Sequence, residues 1–184
     1  MNWTRLARTV APDSAPLDID DVKSHLGIAH SDDDGLIATL IDVATAYIDG
    51  PHGAGIALLT QTCRLSLDSL PRYTDLPLGP VQSVVSITMD GQTVSPSSYY
   101  VDADRSPALL VSDAPSYVLK PGSVKITYVA GYGEASDIPA DLLQVIRLLV
   151  GHLYANREAT SQIEVKTVPL AVDSILNRYR VHAS

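Results

Sequence analysis

The tract from Gly122 to Glu158, GSVKITYVAGYGEASDIPADLLQVIRLLVGHLYANRE, constrains this chain most. Val124, Ile126 and Tyr128 alternate with Lys125 and Thr127, the pattern of a strand with one buried face. An aromatic-glycine turn follows, and then a very apolar helix that closes on Asn156-Arg157-Glu158. Pro139 suits its first turn, where a missing N–H costs no intrahelical bond, and Asp137 is a nearby cap. A helix this apolar, in a chain of 184 residues, needs more partner surface than a monomer easily supplies. No standard catalytic motif lies in the tract, so it points to an assembly component.

Composition narrows the function classes. Apolar residues make up 46% and charged residues 18%, an apolar content near the norm with little charge to cover it. That balance leaves apolar surface to be hidden in an interface. A formal net charge of -8 argues against gripping nucleic-acid phosphates, which takes clustered Lys and Arg. It does not exclude a surface that DNA slides past. Cys63 is alone, so a disulfide scaffold is excluded. The first residues, MNWTRLARTVAPDSAP, lack the apolar run of a signal peptide. The densest apolar run, Leu142 to Val150, is broken by Gln144 and Arg147 and falls short of a membrane span. The expectation is a soluble protein made in a reducing compartment.

Along the chain, residues 1–16 read as an arm, with Pro12 and Pro16 around small and polar residues. Asp18 caps a short helix in which Ile19, Val22 and Leu26 share a face, and Gly27 ends it. Ser31 and Asp32 to Asp34 open a second helix whose Leu36, Ile37, Leu40, Ile41, Ala44, Tyr47 and Ile48 form a wide stripe. Gly50-Pro51 stops it. The period then changes to two: Cys63, Leu65 and Leu67, and later Val85, Ile87 and Met89, alternate with polar residues. Asp90-Gly91 is a hairpin turn. A last short helix carries Val172, Ile175, Leu176 and Tyr179 on one side. The fold class is α+β: a small helical bundle, helix-helix then helix-helix, with an antiparallel β module inserted in the middle. The expected boundaries are an arm at 1–16 and one domain at 17–184. Within it lie helices at 18–27 and 32–49, a β insertion at 60–130, helices at 138–157 and 169–179, and a tail at 180–184.

Candidate chemistry is sparse. Asp32-Asp33-Asp34-Gly35 lacks the alternate acids and twelfth-position Glu of a calcium loop, and fits a helix start better. The glycines from Gly50 to Gly55 follow a helix and lack the Gly-Lys-Ser/Thr ending of a phosphate loop. His25, His30, His52, His152 and His182 are scattered, and no pair has the spacing of a helical zinc site. Cys63 lies on the apolar side of its strand and reads as a small buried hydrophobe. No catalytic, metal or cofactor residue is assigned. His152, Asn156, Arg157 and Glu158 form a polar cluster at the end of the long helix, read as a subunit interface or helix cap. An acid-base pocket on His152, Arg157 and Glu158 is the competing reading. The tail around Arg178, Arg180 and His182 is basic in an acidic chain, which suits docking onto an acidic partner or a frayed end.

Several pieces resemble a known family. They are Leu17-Asp18 to Leu26, Asp33-Asp34-Gly35-Leu36-Ile37 with Tyr47-Ile48, and Leu59-Thr60-Gln61-Thr62. Leu78-Gly79-Pro80-Val81 with Val84, Tyr99 to Asp102, and Thr127 to Gly133 follow in order. Ile138-Pro139, His152 to Glu158 and Val168-Pro169 to Arg180 complete the series, from about 17 to 181. Together they are similar to phage head–tail connector proteins, the adaptor (head-completion) group of long-tailed phages, prophages and gene transfer agents, often described as possible DNA-packaging proteins. The chain departs at Ile56, where members often carry Arg, at Cys63, where an aromatic is common, and at Gly151 inside the long helix. The resemblance implies a non-enzymatic ring, commonly twelve-fold, beneath the portal of a virion, assembled from chains made in the host cytoplasm. Its partners would be the portal protein, a stopper or tail protein and further copies of itself, with DNA passing through the channel and no membrane. The basic tail and the resemblance together point to the 163–184 segment for portal binding, with Leu170, Ile175, Leu176, Arg178, Tyr179 and Arg180 as the contact residues. A stopper or tail-terminator role is the alternative within the same assembly.

Overall fold

The computed structural model describes residues 5–50, 53–114, 120–156 and 170–179. The fold is α+β, with a helical bundle and an antiparallel β module that keep separate apolar cores. In the bundle, α1 (Ile19–Leu26) and α2 (Asp34–Ile48) pack with α3 (Ala140–Ala155), and α4 (Leu170–Leu176) lies on α3. Asp18 caps α1 through its side chain, which accepts from the Asp20 N–H, and Gly27 ends the helix at φ 71. α2 starts at Asp34, and Asp33, the residue ahead of it, makes no side-chain cap. Its carboxylate instead accepts from the Tyr154 hydroxyl on α3, which ties the two helices together. Val22, Ile37, Ile41, Ile48, Leu142, Val145, Ile146 and Leu149 form the centre of this core. Gly151 sits where α1 crosses α3, and a Cβ there would meet Leu26 at an ordinary 3.5 Å.

The β module consists of two sheets. One holds β1 (Leu6–Val10), β2 (Gln61–Leu67), β8 (Val124–Ala130), β4 (Val81–Met89) and β5 (Gln92–Thr93), in that order. The other holds β3 (Tyr73–Leu76), β7 (Ala108–Ser112) and β6 (Tyr99–Asp102). Cys63, Leu65, Leu76, Ile87, Leu110, Ile126 and Tyr128 fill the core between them. The buried Tyr128 hydroxyl donates to the Pro77 carbonyl, as a buried polar group must. Asp90 and Gly91, both at positive φ, turn β4 into β5 as the hairpin signal requires.

Four details differ from the sequence expectation. Leu6–Val10, expected within an arm, is an edge strand paired antiparallel with β2. Only Leu6 of that strand is buried, so it carries no alternating signal. The alternation predicts Val85 on one face with Ile87 and Met89, but register shifts at Val81/Ser83 and Val84/Ser86 turn it outward. A bulge adds a residue and reverses the alternation beyond it. Asp137 belongs to a 3₁₀ turn at Ala135–Asp137, where it and Glu134 cap each other reciprocally, so α3 begins only at Ala140 behind Pro139. Last, the wide stripe of α2 is split: Ile37, Ile41, Ala44 and Ile48 are buried, while Leu36 and Tyr47 are exposed.

Candidate interaction surfaces

The strand-to-helix turn of the opening tract joins the two cores. Gly131 has φ 124, and a Cβ on it would run into the Leu59 carbonyl. Its N–H donates to the Pro80 carbonyl at 2.8 Å, and the Tyr132 N–H donates to the Leu58 carbonyl at 3.0 Å. Only glycine combines that conformation with so close an approach. A second junction lies at the end of α2. Arg8 on β1 pairs with the nearly buried Asp49 carboxylate at 3.0 Å, and the Gln61 side-chain amide donates to the same carboxylate at 2.8 Å. The edge strand is therefore fastened to the bundle as well as to β2.

Asp141, in the first turn of α3, gathers the end of α4. The Tyr179 hydroxyl donates to it at 2.6 Å and the Arg178 guanidinium at 2.8 Å. Burial, then the hydrogen bond and charge of Asp141, push the Tyr179 hydroxyl up to about 12. Tyr132 is half-buried and is also raised, by burial first and by Asp141 second. Among the residues expected at a portal contact, Ile175, Leu176, Arg178 and Tyr179 are thus brought together. They turn toward the chain's own bundle, however: Leu176 is fully buried and Ile175 is packed against the core. Leu170 begins α4, and Arg180 lies outside the described residues.

The His152 cluster is a helix end. The Asn156 side-chain amide donates to the His152 carbonyl at 2.7 Å and its backbone N–H does so at 3.1 Å, satisfying a carbonyl that the helix leaves open. Arg157 and Glu158 lie outside the described residues. A cleft of about 730 Å³ runs between residues 14–19, α2 and α3, and His152 does not line it. Among the described residues no three His, Cys, Asp or Glu side chains are placed to hold a metal. Asp34 serves structure, pairing with Lys23 at 2.7 Å. Cys63 is fully buried, and desolvation raises its thiol to about 11, so it stays protonated at neutral pH.

Among the described residues, two groups of apolar side chains share an exposed face. On α2, Leu36, Leu40, Val43 and Tyr47 fall on one line, roughly 100° around the helix from its core face. Val43 is 51% exposed and Tyr47 39%. In the three-stranded sheet, Tyr73 is opposite Val111 and Val111 is opposite Tyr100, so the three form a row across the outer face. Tyr73 is 62% exposed and Tyr100 65%. Arg72 ends this row, its guanidinium 5.9 Å from the centre of the Tyr73 ring. The helix line was partly visible in the sequence, whereas the row depends on the register of three strands and has no sequence signal.

Residues 16–99, from the strap ahead of α1 to the start of β6, match the family of phage gp6-like head-tail connector proteins. That agrees with the resemblance carried by the ordered sequence motifs. Among curated proteins none matches the chain. The fold is shared with solved assemblies. One is the neck of an empty gene transfer agent (GTA) particle computed with C6 symmetry, at 22% identity and TM-score 0.75, covering 97% of this chain and 96% of that one. Another, with the same figures, is the virion of a native GTA particle. A third is the neck of a native GTA particle computed with C12 symmetry, at 21% identity and TM-score 0.69 with the same coverage.

Proposed function

We propose that this chain is a structural head–tail connector, the adaptor that forms a ring under the portal of a tailed phage-like particle and joins capsid to tail. The observation that carries the reading is the match of residues 16–99 to the head-tail connector family. The shared fold over 97% of the chain with GTA neck structures supports it. The C6 and C12 symmetries of those necks support assembly as a ring in the virion. The role is non-enzymatic: Asp141, Asp33, Asp49 and Asn156 hold helices and strands in place. DNA crosses the channel without sequence-specific binding, since a net charge of -8 offers few phosphate contacts.

The portal is the partner on one ring face and a stopper or tail protein on the other. The C-terminal segment from residue 163 faces the portal. Leu176 stays in the bundle, so the contact uses the outward side of α4 with charge from Arg180 and from the exposed part of Arg178, which also pairs with Asp141. His152 to Glu158 lie at a neighbouring-subunit contact. The test is co-purification of the full chain with its particle's portal protein. A stable complex is expected, and Arg178→Gln with Arg180→Glu, the glutamine keeping a donor for Asp141, should weaken it at least tenfold, roughly the loss of a hot-spot charge. No complex at any salt concentration would overturn the connector reading. Unchanged binding by the double variant would remove only the assignment of the tail.

A further inference from the structure

We infer that the open line on α2 (Leu36, Leu40, Val43 and Tyr47) docks onto the aromatic row Tyr73–Val111–Tyr100 of a second copy of this chain. The inference rests on the ring proposed above and names the faces that close it. On the helix Leu36, Val43 and Tyr47 are exposed while Leu40 packs partly on the core, and in the sheet Tyr73 and Tyr100 are exposed while Val111 is half-buried. A helix with apolar residues on its core side and again along an adjoining line is built to be covered on both. Tyr73 and Tyr100 offer wide rigid rings with hydroxyls that remain wet at a rim, the chemistry enriched where protein surfaces meet.

The pairing is heterologous for a physical reason. If α2 met α2 of a partner, the contact would be self-complementary and close as a dimer, leaving the aromatic row bare. Two different faces on each copy propagate from one neighbour to the next, which is what a ring requires. Charge sets the direction. Asp32, with a side chain 91% exposed beside His30, stands at the N-terminal end of the α2 line, and Arg72, in a long 3.4 Å pair with the likewise exposed Asp113 that leaves its guanidinium open to solvent, stands at the β3 end of the row. Docking in this sense brings those two ends together. The inner face of the same sheet, with Leu76 and Leu110, is already committed to the core. Four helix side chains against three sheet side chains make a contact smaller than a standard interface, so copies associate weakly until a partner gathers them.

The test uses full-length chains carrying Cys63→Ala, so that added cysteines are the only thiols. Val43→Cys and Tyr100→Cys are made singly and together, and treated with a short bis-maleimide both in concentrated solution and with the portal present. The double variant should give a ladder of dimers, trimers and higher species. A mixture of the two single variants should stop at dimers, and neither alone should cross-link. Cross-linking of Val43→Cys alone would show an isologous α2 contact and overturn the inference. A double variant without a ladder, in preparations whose micrographs show rings, would overturn it too and leave the connector reading standing. Absence of rings and of any self-association would overturn both. Val43→Asp gives an independent check: it should keep the melting temperature and weaken assembly at least tenfold.

Discussion

At the scale of single residues, the fold depends on a few positions where chemistry and geometry leave little choice. Gly131→Ala forces a Cβ onto the Leu59 carbonyl at a positive φ. A loss of about 2–4 kcal/mol is expected in urea unfolding, the cost of strained backbone with a displaced neighbour. Gly151 is the opposite case. It lies inside α3 with only an ordinary contact waiting at 3.5 Å, so Gly151→Ala should stabilise by about 0.5–1 kcal/mol. Tyr179 gives a pH prediction. Its folded pKa of about 12 lies above the ordinary value of 10, so the folded chain keeps this proton longer than the unfolded one. The stability it adds is intact below pH 10 and is lost as the pH rises toward about 12. Proteolysis at α4 should therefore accelerate over that window, and Tyr179→Phe should already show the faster cleavage at neutral pH. The sequence made the aromatic-glycine turn visible, and Cys63 as a buried hydrophobe. It could not show Asp141, because its partners Arg178 and Tyr179 come from residues 37 and 38 positions away.

At the scale of elements, legibility followed how much of a pattern each element carried. α2 and α3 repeat apolar residues with helical spacing over three or more turns, so their existence was plain. β2 and β8 alternate cleanly for the same reason. β1 buries Leu6 alone and stands on the edge, so nothing in its sequence separates it from an arm. The bulges of β4 reverse the inward side at Val85, and no single-sequence pattern announces a bulge. β1 nevertheless matters for stability, because it brings Arg8 to the nearly buried Asp49 and covers the edge of β2. Removing residues 1–10 leaves that carboxylate without its guanidinium and a long strand edge open. A loss of about 3 kcal/mol, or a melting temperature lower by roughly 6–12 °C, is expected in calorimetry, with greater aggregation on heating. An unchanged melting temperature would show that the strand adds nothing to the fold.

At the scale of the whole molecule, the order of helices, β module and helices was readable because the hydrophobic period changes from 3.6 to two and back. The division of the β module into two sheets was not, since strand order is fixed by contacts between residues far apart in sequence. The same limit hid the aromatic row. The surplus of apolar surface inferred from α3 found a different location: α3 is largely satisfied within the bundle, and the open faces belong to α2 and to the smaller sheet. The central claim is that this chain closes into a ring against a portal. Electron microscopy of the full-length chain mixed with the portal of its own particle tests it most directly. The expected image is a ring of subunits stacked coaxially on one face of the portal. Portal particles that stay bare beside a monomeric chain, across protein concentration and salt, would contradict it.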